Sequence, residues 1–170
     1  MKISLREWKS SDLNALLTHA NNLNIARNMT NAFPHPYTEK DGENFLSRVA
    51  NMRSGIILAI DADGEAIGSI GVFPQEDIEC KNAEMGYWLS EPYWSKGIIS
   101  QVIPMMLKIA FEKFDIDRIY ARPFGNNIAS QKVLEKNGFI LEAVIKNGFF
   151  KNGEYQDALI YAIRKDNFTK

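Results

Sequence analysis

The chain has 170 residues, 45% of them hydrophobic and 24% charged, which suits one globular domain with a sizeable core. Its 20 Lys and Arg nearly cancel 21 Asp and Glu, so the formal net charge of -1 creates no global field for nucleic acid or anionic lipid. A single cysteine, Cys80, excludes an intramolecular disulfide, and no apolar run approaches a membrane span.

The first residues, MKISLREWKSSD, alternate and then turn polar, unlike a signal peptide, so a cytoplasmic protein is expected. Lys2 to Arg6 reads as a strand. Ser10, Ser11 and Asp12 offer N-caps to a helix with Leu13, Leu16, Leu17 and Ala20 on one face. The rigid aromatic loop FPHPY follows at 33–37. Thr38 then caps a second helix, with Asp41 as the short-armed partner of a capping box. Strands are expected at 56–60 and 66–73 around DADGE, where Gly64 suits a tight hairpin. An acidic loop, PQEDIECKN, leads to a strand from Ala83 to Leu89. A helix from about Ile99 to Phe114 follows, then a strand over 118–122 and a helix over 128–137 closed by Gly138. Two final strands meet at the turn KNG, residues 151–153. The order describes one mixed-sheet α/β domain over 1–170.

Three segments can carry chemistry. In AEMGYWLS, residues 83–90, Glu84 and Gly86 share one strand face. Gly86 suggests a bulge or a close backbone approach, and a carboxylate beside it can accept a proton; the plainer reading is a solvated Glu. In YWSKGIIS, residues 93–100, a loop containing Gly97 feeds a helix N-terminus, where N–H groups and the dipole favour an anion. Lys96 can add a point charge, but the stretch fits neither a nucleotide P-loop nor the dinucleotide glycine pattern. In FGNNIASQKVLEKNGF, residues 124–139, Asn127 can cap the helix and Ser130 sits one turn in. Taken alone, that segment is a well-capped helix with a glycine stop.

In this order and spacing the segments resemble the GNAT superfamily of N-acetyltransferases. The branch that acetylates N-terminal amines of ribosomal proteins, the RimJ/RimL type, is most similar. LREWKSSD, FPHPYTEKD and NGEYQDALIYAI are also similar, so the resemblance spans essentially the whole chain. It implies a single GNAT-like α/β domain, with a mixed central sheet of about seven strands and about four flanking helices. It also implies acetyl-coenzyme A (acetyl-CoA) as donor. The diphosphate would sit on backbone N–H groups of Ser95, Lys96, Gly97, Ile98, Ile99 and Ser100. The pantetheine arm would pair with main chain at Trp88, Leu89 and Ser90, faced by Asn127 and Ser130. Lys132, Lys136 and Lys96 become candidates for the nucleotide phosphates. Glu84 becomes the first candidate base, directly or through a water, and Ser130 the candidate acid.

The departures are specific. Trp94 and Ile99 replace the outer members of the family's loop pattern, and Ser95 stands where glycine is frequent. Ser95 fits if its φ is negative, and Ile99 fits if its side chain leaves the groove. Pro104 predicts an irregular helix start. Leu134 occupies the position of a tyrosine acid used by many members, and Phe149 that of a second carboxylate. Phe33, Tyr37, Trp88, Phe149 and Tyr155 are candidates to line an acceptor pocket, or simply core. A protein or peptide α-amine is the expected acceptor, against a small-molecule amine or an acyl-CoA-binding module without turnover. No metal, direct nucleic-acid partner or membrane partner is expected, and the chain would be a monomer or homodimer. His19 and His35 lack ligand spacing, and Cys80 reads as an ordinary thiol.

Overall fold

A computed structural model describes residues Met1–Phe168. Seven strands form one mixed sheet in the order β1-β2-β3-β4-β5-β7-β6. They are β1 (Ile3–Arg6), β2 (Ile56–Ala62), β3 (Glu65–Pro74), β4 (Asn82–Leu89), β5 (Arg118–Ala121), β6 (Ile140–Lys151) and β7 (Glu154–Arg164). The longer helices are α1 (Leu13–Ala20), α3 (Glu39–Ala50), α4 (Ile98–Lys113) and α5 (Ile128–Lys136). Two single turns, α2 (Leu23–Ala26) and α6 (Lys165–Phe168), add to the four expected helices. Among the described residues no helix is long and apolar enough to cross a membrane.

Contacts divide the chain into two compact units. One comprises Met1–Gly71 and Tyr87–Met106; the other comprises Val72–Gly86 and the described residues from Leu107 on. β3, β4 and α4 each begin in one unit and end in the other.

In the first unit, β2 and β3 turn at Asp63 and Gly64, with φ of 52° and 100°. Two positive φ values are what a tight hairpin of this hand requires. Arg6 ties β1 to the segment after it. Its guanidinium forks onto Asp12 at 2.8 and 2.9 Å and reaches Asp61 on β2 at 2.6 Å. The Asp12 carboxylate also accepts the Lys9 N–H, so it stabilises the entry to α1. Thr38 and Asp41 form the expected reciprocal cap of α3. Leu16, Ala20, Ile25, Tyr37 and Trp88 make a small core with Phe33, Phe45 and Leu46 against it.

In the second unit, β4 and β5 run parallel over Asn82–Glu84 and Arg118–Tyr120. β5 and β6 both pair antiparallel with β7. The repeated KNG has two uses. At 151–153 it makes the β6–β7 turn, with positive φ at Asn152 and Gly153. At 146–148 it is a bulge instead, between the pairs Ile145↔Ala158 and Phe149↔Gln156. There Asp157 accepts the Asn147 N–H at 3.0 Å and the Lys146 ammonium at 2.8 Å.

α4 carries Ile98, Val102, Ile103, Met106, Leu107, Ala110 and Phe111 as one buried stripe. Contrary to the expected irregularity, it runs unbroken through Pro104. Pro104 is exposed, so its ring faces outward. Its missing N–H removes only the bond to the carbonyl of Ser100, in the first turn.

Candidate active site

In the first unit, β4 leads into a corner and then into α4. Ser90 donates its N–H to the Ile67 carbonyl of β3 at 2.9 Å. Backbone direction alternates along a strand, so the Trp88 and Ser90 groups face β3 and those of Leu89 face the other edge. An amide-bearing arm can therefore meet Leu89 main chain more readily than that of Trp88 or Ser90. The Leu89 carbonyl accepts Trp94 Nε1–H at 2.7 Å, leaving the Leu89 N–H as its donor on that edge. The close backbone approach expected at Gly86 occurs at Gly68. A Cβ on Gly68 would lie 2.5 Å from the Trp88 carbonyl oxygen, whereas nothing lies within 4 Å of one on Gly86. Glycine on β3 is thus what lets the two strands close here.

The loop after the corner differs from expectation in one respect. Ser95 has φ of +59° and Gly97 φ of +72°. Ser95 is therefore not tolerated by keeping φ negative; it adopts the left-handed conformation itself, at a cost of about 1–2 kcal/mol. Left-handed residues in a turn are a setting in which backbone N–H groups can converge on an anion. Gln101 makes the first helical bond, to the Gly97 carbonyl at 3.2 Å. That leaves the N–H groups of Ile98, Ile99 and Ser100 outside the helical ladder, at the positive end of the dipole. Ile98 is buried in the core, while Ile99 and Ser100 are half-buried. Lys96 is exposed, with its ammonium 5.2 Å from the centre of the Tyr93 ring.

The same unit gathers Phe33, Tyr37 and Trp88, with ring centres 5.4 Å apart for Phe33–Tyr37 and 5.8 Å for Phe33–Trp88. Tyr37 and Trp88 are buried core residues, and Phe33 is the partly exposed member. Burial pushes the Tyr37 phenol up to about 12, with Asp41 adding to it and Arg48 opposing. It stays protonated at neutral pH.

The second unit holds Glu84. Arg122, which the sequence did not single out, grips its carboxylate through Nε at 2.9 Å and Nη2 at 3.3 Å. The hydrogen bond to Glu84, against partial burial, raises the Arg122 pKa. The guanidinium also lies 5.9 Å from the Phe149 ring centre, and Phe149 packs edge-on against Phe124. Phe149 and Phe124 thus form an aromatic wall beside an ion pair. Asn127 caps α5 as expected, accepting the Ser130 N–H at 3.2 Å, so its side-chain oxygen is already engaged. Ser130 is half-buried, Lys132 and Lys136 are exposed, and Leu134 is fully buried. Tyr155 packs on Phe150, on the exposed end of the last hairpin. Among the described residues no cluster of His, Cys, Asp and Glu could hold a metal ion.

Comparison with known proteins bears on the fold and the family. The model of the acetyltransferase (GNAT) domain matches residues 2–140. The ribosomal-protein-serine acetyltransferase of Escherichia coli (strain K12) is 35% identical over 100 residues, 59% of this chain and 55% of that protein. The chain spans only 55–62% of the length of three such bacterial relatives. RimJ of Mycobacterium smegmatis, solved with a CoA disulfide, superposes with a TM-score of 0.86 at 22% identity, covering 99% of this chain and 84% of that one. The spermidine N-acetyltransferase of Vibrio cholerae, solved with CoA and spermine, gives a TM-score of 0.83 at 23% identity, covering 99% and 98%. With the sheet order, the loop before α4 and a domain match over residues 2–140, the chain belongs to the GNAT acetyltransferase family.

Proposed function

We propose that the protein transfers the acetyl group of acetyl-CoA to the α-amine of a protein or peptide N-terminus. The observation that carries the donor is the loop from Ser95 to Ser100. Its two left-handed residues and the following helix start present main-chain N–H groups to a diphosphate without a P-loop glycine run. Trp88 and Ser90 help by fixing β4 against β3, and Leu89 offers its N–H to the arm. Asn127, Ser130 and Lys132 on α5 are further proposed donor contacts, carried over from the family resemblance.

For the acceptor, an α-amine has a pKa near 8 against about 10 for a lysine-like amine, so a modest base suffices. Glu84 is the proposed base. It is held by two unequal hydrogen bonds from Arg122, and the longer one, to Oε2, marks the oxygen that can turn to an amine or a water. Once deprotonated, the amine attacks the thioester carbonyl and the thiolate leaves; its pKa, near 8.5 as in cysteine, asks little of an acid. Ser130 is the candidate to supply that proton. Phe33 and Phe149 are the proposed apolar contacts for the acceptor, with Tyr37 supporting Phe33 from the core. The ribosomal-protein activity named for the relative favours a peptide. The spermidine enzyme among the neighbours keeps a small amine as the second reading.

The donor site is tested by calorimetry with CoA. Gly97→Val forces a β-branched residue to φ +72° and is expected to weaken binding by at least about tenfold. Ser95→Gly suits φ +59° and should bind as well as the parent, because the main chain is the ligand. Equal affinity in Gly97→Val would refute the cradle.

A further inference from the structure

Ser90 is 2% exposed, and its hydroxyl needs a partner. His19, at the end of α1, supplies it: Nδ1 lies 2.8 Å from Ser90 Oγ. The other ring nitrogen, Nε2, lies 2.9 Å from a carboxylate oxygen of Glu65. A carboxylate only accepts, so Nε2 carries the hydrogen and donates it. In the neutral ring Nδ1 is then the acceptor of the Ser90 O–H. Both ring nitrogens are fixed by residues 46 and 71 positions away in sequence. The ring itself is 10% exposed, while Glu65 is 53% exposed.

The corner held this way is the one that aims the loop. The Ser90 carbonyl accepts the Tyr93 N–H at 3.0 Å and so forms its first turn. His19 meets the Tyr93 ring edge-on with centres 6.0 Å apart, and Tyr93 carries the Lys96 ammonium over its face. Glu91, next to Ser90, accepts from the side-chain amides of Asn22 at 2.6 Å and Asn24 at 3.1 Å. A single stretch, residues 19–24, therefore clasps the corner through two separate hydrogen-bond sets.

We propose that His19 is a positioning residue, which with Glu65 and Ser90 sets the corner that orients the CoA-binding loop. This rests on the donor site proposed above. Glu65 gives the sharpest test because its side chain lies at the surface and is remote in sequence from the loop. Glu65→Ala removes the anchor on Nε2 and lets the ring take the other tautomer, in which Nδ1–H donates to Ser90 Oγ and the buried hydroxyl hydrogen loses the ring as its acceptor.

The experiment measures the CoA dissociation constant by calorimetry and the melting temperature without ligand. Wild type, Glu65→Ala, Glu65→Gln, His19→Ala and the Glu65→Ala/His19→Ala double variant are compared. Glu65→Ala and His19→Ala are expected to weaken CoA binding by about tenfold or somewhat less. The double variant should be no weaker than His19→Ala, since both remove one relay. Glu65→Gln, which still accepts from Nε2, should bind like wild type. Wild-type affinity in both single alanine variants, whatever their melting temperatures, overturns the proposal, as do losses that simply add. A wild type that does not bind CoA overturns the donor site and this inference together. Failure of the inference alone shows as tight wild-type binding that the variants retain.

Discussion

Glu84→Gln is expected to lower kcat about 100-fold and to move its pH profile upward, with CoA affinity unchanged. The substitution is close to isosteric. Its amide oxygen can still accept from Arg122 Nε, and its backbone stays in register opposite Tyr120 of β5. What it cannot do is take a proton. The amine must then arrive already neutral, so turnover should rise with pH toward the amine's own pKa, near 8 for an α-amine. Arg122 makes the test sharper. It anchors the Glu84 carboxylate, whose side chain is still 30% exposed, so the solvated Glu that was the plainer reading of AEMGYWLS is partnered as well. A rate and profile unchanged in Glu84→Gln would remove Glu84 as the base. Leu134 is buried and Phe149 is apolar, so neither can accept the proton in its place.

Arg6→Ala should be the most damaging single change to stability. One guanidinium serves Asp12 and Asp61, and both carboxylates are buried. Removing it leaves two buried anions without their cation, at a cost of about 3–5 kcal/mol. For a chain of this length that lowers Tm by roughly 10 °C, which thermal melting will show. The same cluster sets an acid limit. Burial pushes the Asp12 carboxyl up, but the Arg6 fork and the Lys9 N–H outweigh it, and the net effect is a lowered pKa. A lowered folded value contributes stability that is complete above the unfolded value, about 3.9. It is lost as pH falls below that and through the folded value. The parent should therefore lose this contribution only in strong acid. In Arg6→Ala this stabilisation should be absent at neutral pH already. An unchanged Tm in Arg6→Ala would show that the two carboxylates find other partners.

Local rules carried most of the fold. Thr38 with Asp41, Asp63 with Gly64, and Asn127 ahead of α5 are spaced so that each side chain or φ value has one evident use. The α4 stripe announced itself by period, and Pro104, on the exposed face of its second turn, did not break it. The two KNG copies show where local reading stops. Identical residues make a bulge in one place and a turn in the other, and only the partner strand, through Asp157, decides which. Gly68 and Gly86 show the same limit: which glycine is crowded depends on the neighbouring strand. The loop from Ser95 to Ser100 was legible as a helix start next to Gly97, but not the positive φ of Ser95, which a serine does not advertise. Arg122 and the Glu65–His19–Ser90 set were invisible for a simple reason. The hydrogen-bonded partners lie 38 to 71 positions apart, and no spacing rule spans such distances.

The central claim is acetyl transfer to an α-amine. It is tested most directly by incubating the protein with acetyl-CoA and a panel of peptides, amino acids and polyamines, while following thiol release and acceptor mass. The expected result is release of one CoA thiol per acetyl group gained at a peptide N-terminus, with little reaction at lysine-like amines or polyamines. Binding of CoA without thiol release on any acceptor would contradict it and mark the chain as an acyl-CoA-binding module.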